Sequence, residues 1–206
     1  MNDKVIIVDY GMGNMQSIRK RLTKLGIESI VTSDSSEILH ANKIILPGVG
    51  HFRKAMDNLT NLGLVEVLGE AVLHNKTPVL GICLGMQLMG KFSEEGGVDG
   101  LGWIDGVVNK FRIQDTLRYK APSMGWNNIL QKKESKLLEG VSEDSEYYFI
   151  HGYHFVSRNP EDILAESDYS YCFASAIERD NIYGVQFHPE KSHDAGLMLI
   201  RNFVEL

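Results

Sequence analysis

The sequence holds only two cysteines, Cys83 and Cys172. Two thiols are too few for a disulfide framework and are expected free. Neither belongs to a CxxC pair, which removes a cysteine zinc site. Apolar runs long enough to cross a bilayer are also missing. So is any basic excess: 21 Lys and Arg stand against 27 Asp and Glu, a formal net charge of -6. That sign argues against a polyanion such as DNA as the main partner. Met1 to Lys4 lack the charged-then-apolar layout of a signal peptide, and the apolar run Val5 to Val8 stops at Asp9. A cytoplasmic location, away from nucleic acid and membrane, is the expectation. No repeat, low-complexity segment or linker divides the chain. One domain over residues 1–206 is expected, since α/β domains of this length are common.

What is present is an alternation of short β-branched runs and helical patterns. Val5 to Val8 reads as a buried parallel strand. From Asn14 to Leu25, Ile18, Leu22 and Leu25 share one helical face, and Gly26 closes the helix. Further strands are expected at Glu28–Thr32, Lys43–Leu46 and Pro78–Ile82, with a helix over Val65–His74. This order predicts a parallel sheet covered by helices on both faces. Beyond it, strand-like runs at Gly106–Phe111, Tyr147–Ile150, Phe173–Ile177 and Ile182–Phe187 predict antiparallel additions to the same sheet, and Ala195–Phe203 a closing helix.

The apolar strand ending at Ile82 runs into Cys83, with Gly81 and Gly85 two positions to either side. Small residues so placed are what a nucleophile elbow requires, because the strand turns sharply into a helix and backbones approach closely. Such an elbow sets the sulfur at the carboxyl edge of the sheet and at a helix N-terminus, where the dipole favours thiolate. Free backbone N–H groups there could hold a developing oxyanion. The competing reading is a buried core thiol, and the glycines alone do not decide between them. Cys172 has neither elbow nor partner and reads as structural.

A thiol nucleophile gains from a histidine, and the histidine from a carboxylate that fixes its tautomer. Of seven histidines, His188 follows the strand from Ile182, is held by Pro189 and has Glu190 two residues on. If its strand lies next to that of Cys83, the two side chains meet at one edge. The bland alternative is a surface histidine at a strand end. His151 and His154 are rivals, but in one strand they would point to opposite faces, against a shared metal.

Three segments, Gly81-Ile-Cys-Leu-Gly-Met-Gln87, Val185-Gln-Phe-His-Pro-Glu190 and Leu46-Pro-Gly-Val-Gly50, together resemble the class I (triad-type) glutamine amidotransferases. Val8-Asp-Tyr-Gly-Met-Gly-Asn14, Ser93-Glu-Glu-Gly96, Met124-Gly-Trp-Asn127 and Asn202-Phe203 extend the likeness over most of the chain. They look like the glutaminase subunits of imidazole glycerol phosphate synthases, which serve histidine biosynthesis. The resemblance implies one three-layer, flavodoxin-like α/β domain with a mixed, mostly parallel sheet. It implies that Cys83 attacks the side-chain amide of glutamine, that His188 moves the proton and that Glu190 orients His188. The amides of Leu84 and of Val49 or Gly50 would form the oxyanion hole. Gln87, Glu95 and the stretch His151, Gly152, Tyr153 would hold glutamine. Asn14, Trp126 and Lys191 would face a (β/α)₈-barrel cyclase in a heterodimer, which receives the ammonia and makes imidazole glycerol phosphate and AICAR. No metal or organic cofactor is implied.

Two positions depart from that pattern. Ser123 stands where histidine-pathway members usually carry histidine, and Gly152 where serine is common. Neither touches Cys83, His188 or Glu190. They leave open a glutaminase serving a synthetase that amidates a surface-polysaccharide sugar. A silent binding protein and a cysteine peptidase on the same fold are the readings from other classes.

Overall fold

In the computed structural model, residues 4–115 and 117–206 are described. The N-terminal residues 1–3, on which the expectation of no signal peptide partly rests, lie outside them. Among the described residues, no helix is long and apolar enough to cross a membrane.

The first half is strand and helix in alternation: β1 (Val5–Val8), α1 (Met15–Lys24), β2 (Ser29–Thr32), α2 (Ser35–Leu39), β3 (Lys43–Leu46), α3 (Phe52–Asn61), α4 (Leu64–Gly69), β4 (Val79–Ile82) and α5 (Leu84–Leu88). Six short strands follow: β5 (Phe92–Ser93), β6 (Val98–Asp99), β7 (Gly106–Lys110), β8 (Ser123–Asn128), β9 (Leu130–Gln131) and β10 (Glu146–His151). The chain ends with β11 (Tyr153–Ser157), β12 (Ile163–Tyr169), β13 (Tyr171–Arg179), β14 (Ile182–Val185) and α6 (His193–Glu205). The helix expected over Val65–His74 is present, but its second half, Glu70–His74, widens into a π turn.

β2, β1, β3, β4 and β14 lie side by side, all parallel. β13 then pairs antiparallel with β14, and β11 and β7 continue outward. The sheet is therefore mixed around a parallel block, as expected. Two expectations for the second half need correction. The strand from Ile182 joins β4 in parallel, so it completes the parallel block. The strand through Tyr147–Ile150 pairs with β8 in a separate two-stranded sheet. The alternating burial of β10 arises because Tyr147 and Phe149 pack against Phe187 from outside the main sheet.

Alternate residues of the parallel strands serve two cores. Ile6, Val8, Ile44 and Leu46 face α2, α3 and α4 through Ile38, Leu59 and Leu68. Val5, Ile7, Ile45 and Leu80 face α1 and α6 through Ile18, Leu22, Leu199 and Phe203. Burying Ile18 and Leu22 contributes about 1.5–3 kcal/mol each. Together the two cores fix the parallel edge at which β3, β4 and β14 end.

Candidate active site

The backbone at Cys83 takes φ 54° and ψ -108°, a strained conformation for a residue with a side chain. The turn into α5 is tight enough to dictate its glycines. A Cβ on Gly85 would lie 1.9 Å from the Leu46 carbonyl oxygen, and one on Gly81 would lie 2.7 Å from the Gly85 backbone. The Cys83 N–H donates to the Val185 carbonyl at 2.8 Å, which ties the elbow to β14. The α5 helix has only five residues, so its dipole is a smaller aid to a thiolate than a long helix would give. Leu84, the residue whose amide the resemblance assigns to the oxyanion hole, opens that helix and is buried.

His188 follows β14 and is 1% exposed. Its Nδ1 lies 2.8 Å from Oε1 of the buried Glu190. That contact leaves Nε2 as the ring's open position, buried and with no hydrogen-bond partner among the described residues. Burial, the largest single influence, pushes the imidazole's pKa down. The Cys83 sulfur and the Glu190 carboxylate push it up more strongly together, from 6.5 to about 9. The ring is therefore held as an imidazolium over the neutral range. Its backbone is pinned as well: the His188 N–H donates to the Tyr148 carbonyl at 2.8 Å, and the Ser192 hydroxyl donates to the His188 carbonyl at 2.6 Å. Arg21 Nε on α1 donates to the Glu190 carbonyl at 2.9 Å.

The segment expected to grip glutamine passes over the sulfur, where the thiol faces the Ile150 carbonyl at 3.9 Å. His151 Nδ1 lies 2.8 Å from the Tyr153 carbonyl, which can only accept, so Nδ1 carries the proton. Burial lowers the His151 pKa to about 3, so the ring stays neutral. Gly152 has room: a Cβ there would meet nothing nearer than Pro122 Cβ at 3.9 Å. The expectation that His151 and His154 face opposite ways fails. Both rings pack on Phe111, at 5.2 and 4.8 Å, because the chain leaves β10 and begins β11 between them.

Gln87 is buried, and its Nε2 donates to the Tyr153 carbonyl at 3.0 Å and to Gln186 Oε1 at 2.9 Å. Both its protons are used within the protein, which leaves its Oε1 as the atom free to meet a ligand. Glu95 is half-buried, and its Oε2 accepts the Phe52 N–H at the start of α3 at 2.8 Å. It therefore joins the loop after β3 to the segment after β5.

The Pro47–Gly50 loop begins under a clamp, with the buried Tyr10 hydroxyl donating to the Pro47 carbonyl at 2.6 Å. A Cβ on Gly48 would fall 2.7 Å from Leu84 Cβ, so the loop lies directly against the elbow. Val49 is 49% exposed, and Gly50 takes φ 124°, which favours glycine. Val49 shares a surface cleft with Gly11, Met12, Gly13, Asn14 and Lys191. Asn14 also caps α1, accepting the Ser17 N–H. Trp126 is 44% exposed, stacks on His193 at 4.8 Å and meets Tyr148 edge-on at 5.8 Å. Lys191 Nζ lies 5.2 Å over that same Tyr148 ring. The structure thus brings the three expected partner-face residues onto one continuous surface. Cys172, expected to be structural, is instead exposed on β13.

Sequence reading missed Tyr10, Arg21, Gln186 and Ser192 as parts of this site. Only Gln186 carried a signal, as a polar residue between Val185 and Phe187 in an otherwise apolar run.

A cysteine on an elbow, a histidine bound to a buried carboxylate and a glycine loop at the edge of a parallel sheet are the arrangement of a class of enzymes with a cysteine nucleophile. The chain belongs to the glutamine amidotransferase class-I family, whose model matches residues 6–206, and is a glutamine amidotransferase. It is 45% identical over 201 residues to a Methanococcus maripaludis protein named imidazole glycerol phosphate synthase subunit HisH 2, covering 98% of each chain. A Pseudomonas aeruginosa protein of the same name is 44% identical over 202 residues, with 98% of this chain and 99% of that one covered. Among solved structures, a glutamine amidotransferase from Thermotoga maritima superposes with a TM-score of 0.66 at 16% identity, over 100% of this chain and 84% of that one. That likeness speaks to the fold alone.

Proposed function

We propose that this chain is the glutaminase subunit of an imidazole glycerol phosphate synthase, one domain over residues 1–206, acting in the cytoplasm in histidine biosynthesis. The observation that carries the reading is the buried Cys83, His188 and Glu190 arrangement in a chain whose relatives bear that subunit's name.

An amide is a poor electrophile with a poor leaving group, so covalent catalysis divides the work into two steps. His188 holds the proton given up by the Cys83 thiol, and the sulfur attacks the side-chain carbonyl carbon of glutamine. The oxyanion is met by the amides of Leu84 and of Val49 or Gly50. His188 returns the proton to nitrogen, ammonia leaves, and a γ-glutamyl thioester remains. Once the sulfur is acylated its negative charge is gone, and one of the influences holding the His188 pKa near 9 goes with it. The imidazole then serves as the base that activates water for release of glutamate. The free Oε1 of Gln87 suits an N–H donor of the substrate, and Tyr153 and Gly152 are proposed to hold its backbone end.

The partner proposed is a (β/α)₈-barrel cyclase docked on the surface that carries Asn14, Trp126 and Lys191. Ammonia is protonated in neutral water and loses its nucleophilicity, so a closed passage into the barrel has a physical use. Ser123 favours a second reading. It lies opposite His151 in the β8–β10 pair, so its departure from histidine bears on the glutamine loop. That reading is a glutaminase for a synthetase amidating a surface-polysaccharide sugar.

The test is glutamate release by the purified chain, with and without the barrel cyclase and its nucleotide ligand. Stimulation on the order of 10²–10³, as one gained oxyanion donor would give, supports the proposal. No stimulation, with a cyclase shown active on free ammonia, moves the assignment to the sugar synthetase.

A further inference from the structure

Gln186 is fully buried, immediately after β14, and has no part in the chemistry described so far. Its Nε2 lies 3.6 Å from the Cys83 sulfur. Which end of a carboxamide faces a neighbour must be inferred from its hydrogen bonds. Here one backbone atom settles it. The Tyr153 carbonyl can only accept, so the Gln87 atom 3.0 Å from it is the nitrogen. That nitrogen donates its other proton at 2.9 Å, so the Gln186 atom it meets is the oxygen. The remaining end of Gln186, aimed at Cys83, is then the NH₂ group. Two carboxamides are buried here, and burial without partners would be costly. The chain of hydrogen bonds is anchored where Gln87 donates to the Tyr153 carbonyl, and it ends where Gln186 donates toward the nucleophile.

We propose that Gln186 is a further catalytic residue, donating an N–H to the Cys83 sulfur, and that Gln87 and the Tyr153 carbonyl are positioning groups that fix its direction. The proposal rests on Cys83 being the nucleophile. A hydrogen bond to a charged acceptor is stronger than one to a neutral acceptor, so this donor favours the thiolate over the thiol. It also favours the thiolate as the leaving group when water breaks the thioester. The donor keeps one orientation because Gln87, held by β11, cannot rotate without losing both its bonds. The titratable groups facing Cys83 are His188, after β14, and Tyr10, after β1. Glu190 bears on it through His188, and His151, from β10, faces that same ring.

The full chain is alkylated with iodoacetamide across pH, with and without Gln186→Met, both in a Cys172→Ser background that removes the exposed second thiol. The variant's reactive form is expected to appear about one pH unit higher. Well below that pH its rate is expected to fall roughly threefold rather than tenfold, since a more basic thiolate is also more nucleophilic. Superimposable profiles in a folded variant overturn the proposal. A second measurement needs no variant of Gln186. In the wild-type chain with ¹⁵N-labelled glutamine side chains, one NH₂ pair is expected to shift with the thiol's titration and to lose that shift in Cys83→Ala. If no side-chain NH₂ pair titrates, the proposal fails. Neither readout depends on glutamine turnover, so failure here and failure of the glutaminase reading are distinguishable.

Discussion

The two flanks of Cys83 are built differently. On the β14 side, His188, Glu190, Gln186 and Ser192 are all buried, and each is held by at least one hydrogen bond. On the β3 side, the Pro47 carbonyl is clamped by Tyr10, but two residues later Val49 stands half in solvent beside an open cleft. The groups proposed to move the proton are thus assembled within the chain, while the loop proposed to supply an oxyanion donor ends at a surface another protein could cover. Control is therefore easiest on the β3 side: a partner can reset an exposed loop without disturbing a buried ion pair.

Substitutions on the two flanks put this contrast to the test. The largest effect is expected for Cys83→Ala, which should lower glutamate release with the cyclase present by at least about 10⁴-fold. Residual turnover near wild type would dismiss the elbow as the reacting centre. Glu190→Gln comes next, with a loss of roughly 10²–10⁴ in kcat, since the His188 tautomer and charge are no longer held. It also carries a pH signature. His188 is raised from 6.5 to about 9 in the fold, so the stability it lends is complete below 6.5 and is lost as pH rises through 9. Urea midpoints measured from pH 6 to 9.5 should fall more steeply for wild type than for Glu190→Gln.

Gly85→Ala attacks the joint between the flanks. Its Cβ would collide with the Leu46 backbone, so destabilisation of about 3 kcal/mol or more is expected in urea unfolding. Tyr10→Phe strips the clamp from the buried Pro47 carbonyl and should cost about 1–2 kcal/mol. It should also change the partner's stimulation factor, whereas a wholly rigid loop would leave that factor untouched. The smallest effect belongs to Gly152→Ser, where the added atoms find space. Stability should stay within about 0.5 kcal/mol, and a shift in KM for glutamine with kcat unchanged would assign the serine hydroxyl to substrate binding.

The parallel block was legible because short apolar runs such as Val5–Val8, stopped by Asp9, and Lys43–Leu46, stopped by Pro47, have few other uses. The elbow at Cys83 and the closeness of His188 to Glu190 were legible for a related reason: sharp turns leave local marks in glycine and proline. The rest depends on pairing over distance. β10 alternates like a strand of the main sheet, and nothing in Tyr147–Ile150 says that its neighbour is β8. β12 went unread because its pairing with β13 shifts register between Ile163 and Glu166, which breaks the alternation. α3 over Phe52–Asn61 also went unread. It opens after His51, which makes no side-chain capping bond, and the N–H of Phe52 is met by Glu95, 43 residues away. His151 and His154 face alike because the chain changes strand between them, and a separation of three residues carries no mark of that change.

The place of β14 has a consequence for how the molecule is made. The strand begins at Ile182, one hundred residues after β4 ends at Ile82, yet it lies between β4 and β13. During synthesis β4 therefore waits as an unpaired, wholly apolar sheet edge until nearly all of the chain has left the ribosome. Such an edge is a template for pairing with the wrong chain. The thiol at its end waits too, without a base. Arrival of β14 closes the edge and brings His188 to Cys83 in one event, so on the proposed mechanism the thiol gains its base only when this apolar border has been sealed.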